Sequence, residues 1–316
     1  MKYLIKILLL LFQVSLVLAS DGIVEEKLNK ENPGNLKMFK YVPGKLKSSA
    51  PMIVLLHGCT QSAKEFSINS GWIEHANKHG IILLMPEQKK ENNTFRCFNW
   101  FEEEDQKRGK GEAASIAQMI KQMQEDYHVN MNRIYITGFS AGGGMTAVMM
   151  ATYPELFKAG AISAGVSYGC AKSATAGLMC MYGLSGQTPK HWLEQIKKAN
   201  PQYTGPYPSV SIWHGSNDGT VKVMNAHELA EQWSMVHGID PNSGEKEVLN
   251  GYDRIVFKKS GKTLVEKVII NSLGHKIAVS PGTGNTKCGK VGTWEEDINL
   301  CASYHILNFF GVRDTF

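Results

Sequence analysis

The chain has 316 residues, of which 43% are hydrophobic and 20% are charged, so it carries enough apolar material for a sizeable core and global disorder is excluded. Its 34 lysines and arginines against 29 acidic residues give a net charge of +5 without a dense basic run, which argues against a nucleic acid partner. Six cysteines are too few for a miniprotein built on disulfides, but their even number allows pairing.

The first twenty residues have the pattern of a secretory signal peptide. Lys2 and Lys6 precede or interrupt an apolar stretch that ends in small residues at Ala19. The stretch is short for a membrane span and is broken by Lys6 and Gln13, which favours cleavage over retention as an anchor. We therefore expect residues 1–19 to be removed and residues 20–316 to be exported, to the periplasm or outside the cell, where cysteines can be oxidised.

Apolar runs and helical spacings alternate along the rest of the chain. Strands are predicted where short apolar runs lie between turn residues, at 51–56, 81–85, 133–138, 159–163, 210–214 and 267–270, and Pro86 is expected to end the second of them. Helices are predicted where apolar residues recur at helical spacing, at 63–79, 112–127, 142–153, 225–236 and 298–310. Buried strands separated by long helices indicate an α/β fold with a mostly parallel central sheet and helices on both faces.

The composition of the exported chain shows no repeat, linker or low-complexity tract. A single catalytic domain is therefore expected over residues 20–316. Residues 173–208 have few strand signals and many Gly, Pro and Tyr, and we interpret them as an insertion over the sheet edge.

Residues 138–142, Gly-Phe-Ser-Ala-Gly, match the pattern G-x-S-x-G. In this pattern a sharp strand-to-helix turn exposes a nucleophilic serine, and the flanking glycines remove β-carbons that would collide in the turn. The predicted strand before Ser140 and the predicted helix after it supply the required context. The alternative is an ordinary glycine-rich turn in which Ser140 only caps the helix. A phosphate loop is disfavoured because no Lys followed by Ser or Thr comes after the glycines.

A serine nucleophile needs a histidine base, and the base needs a carboxylate to orient it. In folds with this turn the three occur in the chain order Ser, Asp or Glu, His. Asp218 follows the fifth predicted strand at a sharp turn, although an Asp-Gly pair also forms ordinary turns. His275 follows the last predicted strand on a loop with a glycine, which makes it the expected base. His57 and His214 precede Asp218 and are expected to hydrogen-bond loop backbone.

Acyl transfer to a serine also needs two backbone N–H donors that face the developing oxyanion. Ala141, directly after the nucleophile, is expected to supply one of them. The other is expected from the loop after the first strand, where we assign Cys59 and keep Thr60 as the alternative. The sequence has no HExxH motif and no paired CxxC motifs, so neither a metal nor another cofactor is expected.

Together these residues resemble the esterase/polyhydroxybutyrate (PHB) depolymerase family of α/β-hydrolases, whose relatives include feruloyl and acetylxylan esterases. The resemblance spans roughly Lys37 to Gly311. The matching pieces are Leu56-His57-Gly58-Cys59-Thr60-Gln61, Cys97-Phe98-Asn99-Trp100-Phe101, Gly138-Phe139-Ser140-Ala141-Gly142-Gly143, Tyr168-Gly169-Cys170-Ala171, Trp213-His214-Gly215-Ser216-Asn217-Asp218-Gly219-Thr220-Val221 and Gly274-His275. Any one piece is weak, but six in the same order are specific.

The resemblance implies an α/β-hydrolase fold with Ser140 as nucleophile, Asp218 as the orienting residue and His275 as base. It also implies three disulfide bonds, whereas the number of cysteines alone leaves fifteen pairings open. The implied pairs are Cys59 with Cys97, Cys170 with Cys180, and Cys288 with Cys301.

A bond from Cys59 to Cys97 would place Trp100 near the cleft. The ring of Trp100 is then either a wall for an acyl chain or polymer unit, or plain core. Dedicated extracellular polymer degraders of this family carry linker and polymer-adsorbing modules, whereas this sequence ends at Phe316 without them. We therefore expect soluble oligomers, amorphous polymer or small esters as substrates rather than crystalline polymer.

The expected function is hydrolysis of carboxylic esters through an acyl-enzyme by an exported enzyme, with hydroxyalkanoate esters or oligomers as substrates. The first alternative keeps the mechanism and assigns a feruloyl or acetyl ester of a plant polysaccharide. A remote alternative is a non-catalytic binding protein on a hydrolase scaffold. The only expected partner is a small or polymeric ester, with no nucleic acid and no stable membrane association after cleavage.

Overall fold

The computed structural model describes residues 22–44, 46 and 49–312, so the signal peptide predicted at 1–19 lies outside the described residues. A ten-stranded sheet forms the centre of the fold, in the order β1-β2-β4-β3-β5-β6-β7-β10-β9-β8. Its strands are β1 (Ile23–Glu26), β2 (Lys37–Tyr41), β3 (Met52–Leu56), β4 (Ile82–Glu87), β5 (Ile134–Phe139), β6 (Ala159–Ser163), β7 (Ser209–Gly215), β8 (Glu245–Leu249), β9 (Tyr252–Lys259) and β10 (Lys262–Ile270). A separate parallel pair contains β11 (Ile277–Val279) and β12 (Glu295–Asp297).

The six central strands, from β4 to β10 in the sheet order, are parallel, and the two outer strands on each side are antiparallel. The helices are α1 (Ala63–Asn69), α2 (Trp72–His79), α3 (Gly111–Tyr127), α4 (Ala141–Thr152), α5 (Ala174–Met181), α6 (Pro189–Ala199), α7 (Met224–Val236) and α8 (Ala302–Phe310). Val54 belongs to the core cluster that includes residues of α3, α4, α6 and α7 on one face of the sheet, and Leu55 belongs to the cluster that includes residues of α1, α2 and α8 on the other. The predicted α/β class, with helices on both faces of a mostly parallel sheet, is confirmed.

Two boundary predictions are wrong for local reasons. The helix predicted at 63–79 is split into α1 and α2, because Gly71 takes a left-handed conformation with φ of 83°. Pro86 lies within β4 instead of ending it. Among the described residues, the pairing of β4 with β3 stops at Leu84. The cross-strand partner of Pro86 is therefore Met38 of β2, and the missing N–H breaks no ladder bond to β3.

The segment at 173–208 forms α5 and α6 and connects β6 to β7. These two strands are neighbours in the middle of the sheet. Within the segment, α6 packs against α7 on one face, and α5 borders a cleft beyond the carboxyl ends of the strands. Among residues 22–44, 46 and 49–312, no helix has the length and apolarity of a membrane span.

Candidate active site

Ser140 lies at the sharp turn between β5 and α4. Its φ is 55°, in the left-handed region that a non-glycine residue enters only under strain. A β-carbon added at Gly138 would collide with the carbonyl of Gly142, and one added at Gly142 would collide with the carbonyl of Leu56. Ser140 occupies the N-cap position of α4, but its side chain makes no capping hydrogen bond. The hydroxyl is therefore available to another partner.

That partner is His275, which lies 135 residues away in the sequence. The Nε2 atom of His275 is 2.9 Å from Ser140 Oγ, and its Nδ1 atom is 2.7 Å from Asp218 Oδ2. The imidazole packs against Phe139 and Trp294, with ring centroids 4.9 Å and 6.1 Å away, and its side chain is 9% exposed. The structure thus brings together the three residues predicted from chain order, in the geometry of a nucleophile, a base and an orienting carboxylate.

The buried carboxylate of Asp218 is surrounded by hydrogen-bond donors. Its Oδ1 accepts from the N–H groups of Thr220 and Val221, both at 2.8 Å, and His214 Nε2 lies 3.5 Å from its Oδ2. Burial raises the pKa of Asp218, but hydrogen bonds and charge from His214 and His275 outweigh burial and hold that pKa well below its usual range. The carboxyl is therefore an anion, as an orienting residue requires.

The oxyanion loop, residues 57–61, holds the peptide between Gly58 and Cys59 in one orientation. The carbonyl of Gly58 accepts from His57 Nδ1 at 2.7 Å and from the Gln61 N–H at 3.3 Å. Because the peptide is planar and trans, the Cys59 N–H points away from both of these donors. Burial lowers the pKa of His57 to about 4, and its Nε2 accepts from the Gln88 N–H at 3.1 Å, so the ring is neutral.

The N–H groups of Cys59 and Ala141 are the candidate donors for an oxyanion. The Thr60 N–H donates to the Phe95 carbonyl at 2.6 Å, so Cys59 is favoured over Thr60. Ala141 is the first residue of α4, where the leading N–H groups have no partner within the helix. Cys59 and Ala141 line the same cleft as Ser140.

The cleft above Ser140 has a volume of about 390 Å³ and mostly apolar walls. Besides Cys59, Ser140 and Ala141, it is lined by Asn93, Phe95, Cys97, Trp100, Phe101, Val166, Ala174, Gly177, Leu178, Met181 and Val221. Trp100 is 7% exposed and packs edge-on against Phe101, with ring centroids 5.3 Å apart. It belongs both to the core and to the cleft wall, so the two interpretations of this residue are compatible.

Glu112 was not singled out from the sequence, yet it holds the loop that carries Trp100. Its Oε2 accepts from the Asn99 N–H at 2.8 Å and its Oε1 from the side chain of Gln88. Burial raises its pKa well above the usual value, and the nearby Asp105 adds to this effect. Its position in the first turn of a helix resembles that of an ordinary surface carboxylate, and only burial reveals its role.

The protein contains three disulfide bonds, two of which lie beside the cleft. The bonded pairs are Cys59 with Cys97, Cys170 with Cys180, and Cys288 with Cys301, the same pairs that the family resemblance implies. The Cys59–Cys97 bond joins the oxyanion loop to the segment that precedes Trp100. The Cys170–Cys180 bond anchors α5 beside the cleft.

Known proteins are similar to this chain over nearly its whole length. Residues 37–253 match the family model described as Esterase PHB depolymerase. The chain is 44% identical over 282 residues to poly(3-hydroxyalkanoate) depolymerase C of Paucimonas lemoignei, which covers 89% of this chain and 68% of that protein. It is 33% identical over 275 residues to a probable acetylxylan esterase A of Aspergillus clavatus, covering 84% and 88%. The solved structure of acetyl xylan esterase from Aspergillus awamori superposes with a TM-score of 0.78 at 26% identity, covering 92% and 99%.

Proposed function

The chain belongs to the Esterase PHB depolymerase family of α/β-hydrolases, and on that premise we propose that it is an exported serine esterase acting on hydroxyalkanoate esters and oligomers. Its similarity to a depolymerase and an acetylxylan esterase supports the broader class of ester hydrolases. The observation that carries the proposal is the continuous hydrogen-bonded series from Asp218 through His275 to Ser140 at the base of an apolar cleft.

The proposed reaction proceeds in two steps through an acyl-enzyme. His275 Nε2 takes the proton of Ser140 Oγ as this oxygen attacks the ester carbonyl carbon, and Asp218 stabilises the imidazolium that forms. The N–H groups of Cys59 and Ala141 bind the oxyanion of the tetrahedral intermediate. The leaving alcohol takes the proton from Nε2, which leaves the acyl group on Ser140. Water then loses a proton to His275 and attacks the acyl carbon, and His275 returns this proton to Ser140 Oγ as the bond from that oxygen to the acyl carbon breaks and the carboxylic acid is released.

The apolar cleft supports a small aliphatic acyl group as the preferred substrate. Its rim includes Phe95 and Leu178, which are 68% and 56% exposed although they are large and apolar. Among the described residues that line the cleft there is no lysine, arginine or carboxylate, and Asn93 supplies the single side-chain amide. A sugar residue would need more hydrogen-bond partners than this wall offers, whereas a hydroxyalkanoate unit is mostly hydrocarbon.

An acetyl ester of xylan is the second candidate. The observation in its favour is coverage, because the chain spans 88% of the acetylxylan esterase of Aspergillus clavatus but 68% of the depolymerase of Paucimonas lemoignei. In this case only the acetyl group would enter the cleft and the sugar would remain outside it.

The test of activity compares the unchanged protein with Ser140→Ala on p-nitrophenyl butyrate, 3-hydroxybutyrate oligomers, methyl ferulate and acetylated xylan. We expect hydrolysis of the first two and none by Ser140→Ala. Ser234→Ala is the control serine substitution, because Ser234 is buried on α7 and does not line the cleft. Faster hydrolysis of acetylated xylan or methyl ferulate would reverse the substrate assignment. No hydrolysis of any ester would contradict the esterase proposal.

Export is supported by three disulfide bonds, which persist in oxidising compartments, and by the predicted signal peptide. N-terminal sequencing of the protein released from expressing cells tests it. We expect the mature chain to begin at Ser20. Full-length protein that remains reduced inside the cell would contradict export.

A further inference from the structure

The side chain of Gln61 links the oxyanion loop to a carboxyl group 234 residues away in the sequence. Its Oε1 accepts from the Gly58 N–H at 2.8 Å, and its Nε2 donates to Glu295 Oε1 at 3.2 Å. Because the Gly58 N–H requires an acceptor, the oxygen of the amide faces the loop and the NH₂ group faces Glu295. Gln61 and Glu295 are both fully buried, so water does not compete for these bonds.

Glu295 also connects to the loop that carries His275. It lies in β12, whose partner β11 begins two residues after His275. The preceding residue, Trp294, packs against the His275 ring, and its carbonyl accepts from the Ile277 N–H at 2.7 Å. Asn69 Nδ2 donates to the second oxygen of Glu295 at 3.4 Å. The segment that carries Glu295 therefore contacts the His275 ring through Trp294 and the oxyanion loop through Gln61.

Burying the Glu295 carboxyl costs free energy of folding. Within the part of the chain that the structure describes, no lysine or arginine forms an ion pair with Glu295. Burial raises the pKa of Glu295 to about 7, with a smaller contribution from Glu65, and the bonds from Asn69 and Gln61 offset this only in part. A buried carboxyl without a cation is often no more stable than an apolar residue of the same size. Its benefit is expected in the orientation of its neighbours.

We propose that Gln61 and Glu295 are positioning residues that hold the Cys59 N–H towards the reacting carbonyl. Gln61 binds the backbone on both sides of Gly58, because its own N–H donates to the Gly58 carbonyl and its side chain accepts from the Gly58 N–H. Glu295 in turn fixes the side chain of Gln61. The inference rests on the proposed function, since Cys59 is a donor of that reaction.

Gln61→Met tests the pair, because it keeps the length of the side chain and removes both of its hydrogen bonds. We expect kcat/KM for p-nitrophenyl butyrate to fall about 10- to 100-fold, less than the loss of a whole oxyanion donor, with KM changed less than about 3-fold. The affinity for a trifluoromethyl ketone should fall by the same factor, because its adduct with Ser140 carries an oxyanion in the same place. Rates are expressed per active site titrated with a phosphonate.

Glu295, which accepts the hydrogen bond from the Gln61 side chain, gives a second test. Glu295→Leu is expected to lower kcat/KM about 10-fold, a fraction of the effect of losing a donor. Glu295→Gln is expected to restore it to within about 3-fold, because an amide oxygen still accepts from Gln61. Gln122→Met is the matched control: Gln122 is buried on α3, accepts from the Asn29 N–H and donates to the Lys27 carbonyl, but does not line the cleft. It should leave kcat/KM unchanged.

Unchanged kcat/KM and analogue affinity in folded Gln61→Met would overturn the inference, as would an equal loss in Gln122→Met. If Gln61→Met does not fold, the two Glu295 variants decide, and equal activity of Glu295→Leu and the unchanged protein would contradict it. An unchanged protein that hydrolyses no ester would overturn the proposed function and this inference together. An active protein with unaffected variants would overturn only the inference.

Discussion

Two cavities of nearly equal volume lie at opposite ends of the central sheet. The cleft at the carboxyl end, about 390 Å³, contains Ser140, and the pocket at the amino end, about 380 Å³, is formed around the starts of β6, β7 and β10. The amino-end pocket includes Lys158, Lys259 and Lys262, and Lys259 Nζ donates to the His237 carbonyl at 2.7 Å. Volume therefore does not distinguish an active site here.

The difference lies in what the ends of parallel strands provide. At the carboxyl end, the loops after β3 and β5 bring Cys59 and Ser140 to one cleft, and the loop after β7 places Asp218 against His275, which contacts Ser140. At the amino end, the lysines are scattered around a groove, and none of them belongs to a series of hydrogen bonds that ends at a nucleophile. The following predictions test whether function is confined to the carboxyl end.

Asp218→Asn should have the largest effect of these substitutions. Without the carboxylate, His275 loses its tautomer and orientation, so kcat is expected to fall about 10⁴-fold with KM little changed. Steady-state hydrolysis of p-nitrophenyl butyrate measures it. Asp240→Asn, in the exposed loop that follows α7, is the matched control and should retain full activity. Near-normal turnover of Asp218→Asn would mean that another carboxylate orients the histidine.

Trp100→Ala should affect substrate binding and stability together. Removing the ring enlarges the cleft beside the Cys59–Cys97 bond, so KM for p-nitrophenyl butyrate should rise about 10-fold, and the free energy of unfolding should fall by about 3–5 kcal/mol. Tyr207→Ala, which enlarges the amino-end pocket instead, should leave KM unchanged. A loss of stability without any change in KM would assign Trp100 to the core alone.

Glu295→Gln should change how stability depends on pH. The pKa of Glu295 is raised from 4.5 to about 7 in the folded state, so the folded protein retains this proton where the unfolded chain has lost it. Its contribution to stability therefore falls as pH rises from about 4.5 to 7. The difference in the free energy of unfolding between Glu295→Gln and the unchanged protein should therefore shift in favour of the variant by about 1–2 kcal/mol as the pH rises from 5 to 8. Urea unfolding measures this difference, and a gain independent of pH would contradict it.

Lys262→Ala should have the smallest effect, because Lys262 lies at the start of β10, at the end of the sheet opposite Ser140. We expect kcat/KM within about 2-fold of the unchanged protein, the range of an ordinary surface substitution. A loss of ten-fold or more would show that the amino-end pocket contributes to the reaction, and the comparison would fail.

The sequence was sufficient to predict those parts of the fold in which a local residue pattern reflects the three-dimensional geometry. The apolar runs of the central strands predict the parallel sheet because both faces are buried, and the glycines at 138 and 142 indicate the turn at Ser140. Of the outer strands, β8 was not predicted because it is exposed along its whole length and has no buried face to impose alternation. Such a strand forms only because β9 provides a partner.

Buried polar contacts between distant segments could not be predicted from the sequence for a different reason. Gln61 and Glu295 are separated by 234 residues, and although Gln61 ends one of the pieces that match the family, no local pattern pairs it with Glu295. Glu112 likewise resembles a surface residue in the first turn of a helix. Their roles depend on which loops the completed sheet brings together, and hydrophobic periodicity does not report this.

Labelling with a p-nitrophenyl alkylphosphonate tests the central claim, that Ser140 is a nucleophile activated by His275 and Asp218, most directly. We expect one adduct per chain, located by peptide mass spectrometry at Ser140, absent from Ser140→Ala and formed far more slowly in Asp218→Asn. No adduct on the folded, unchanged protein, or an adduct at a different serine, would contradict the account.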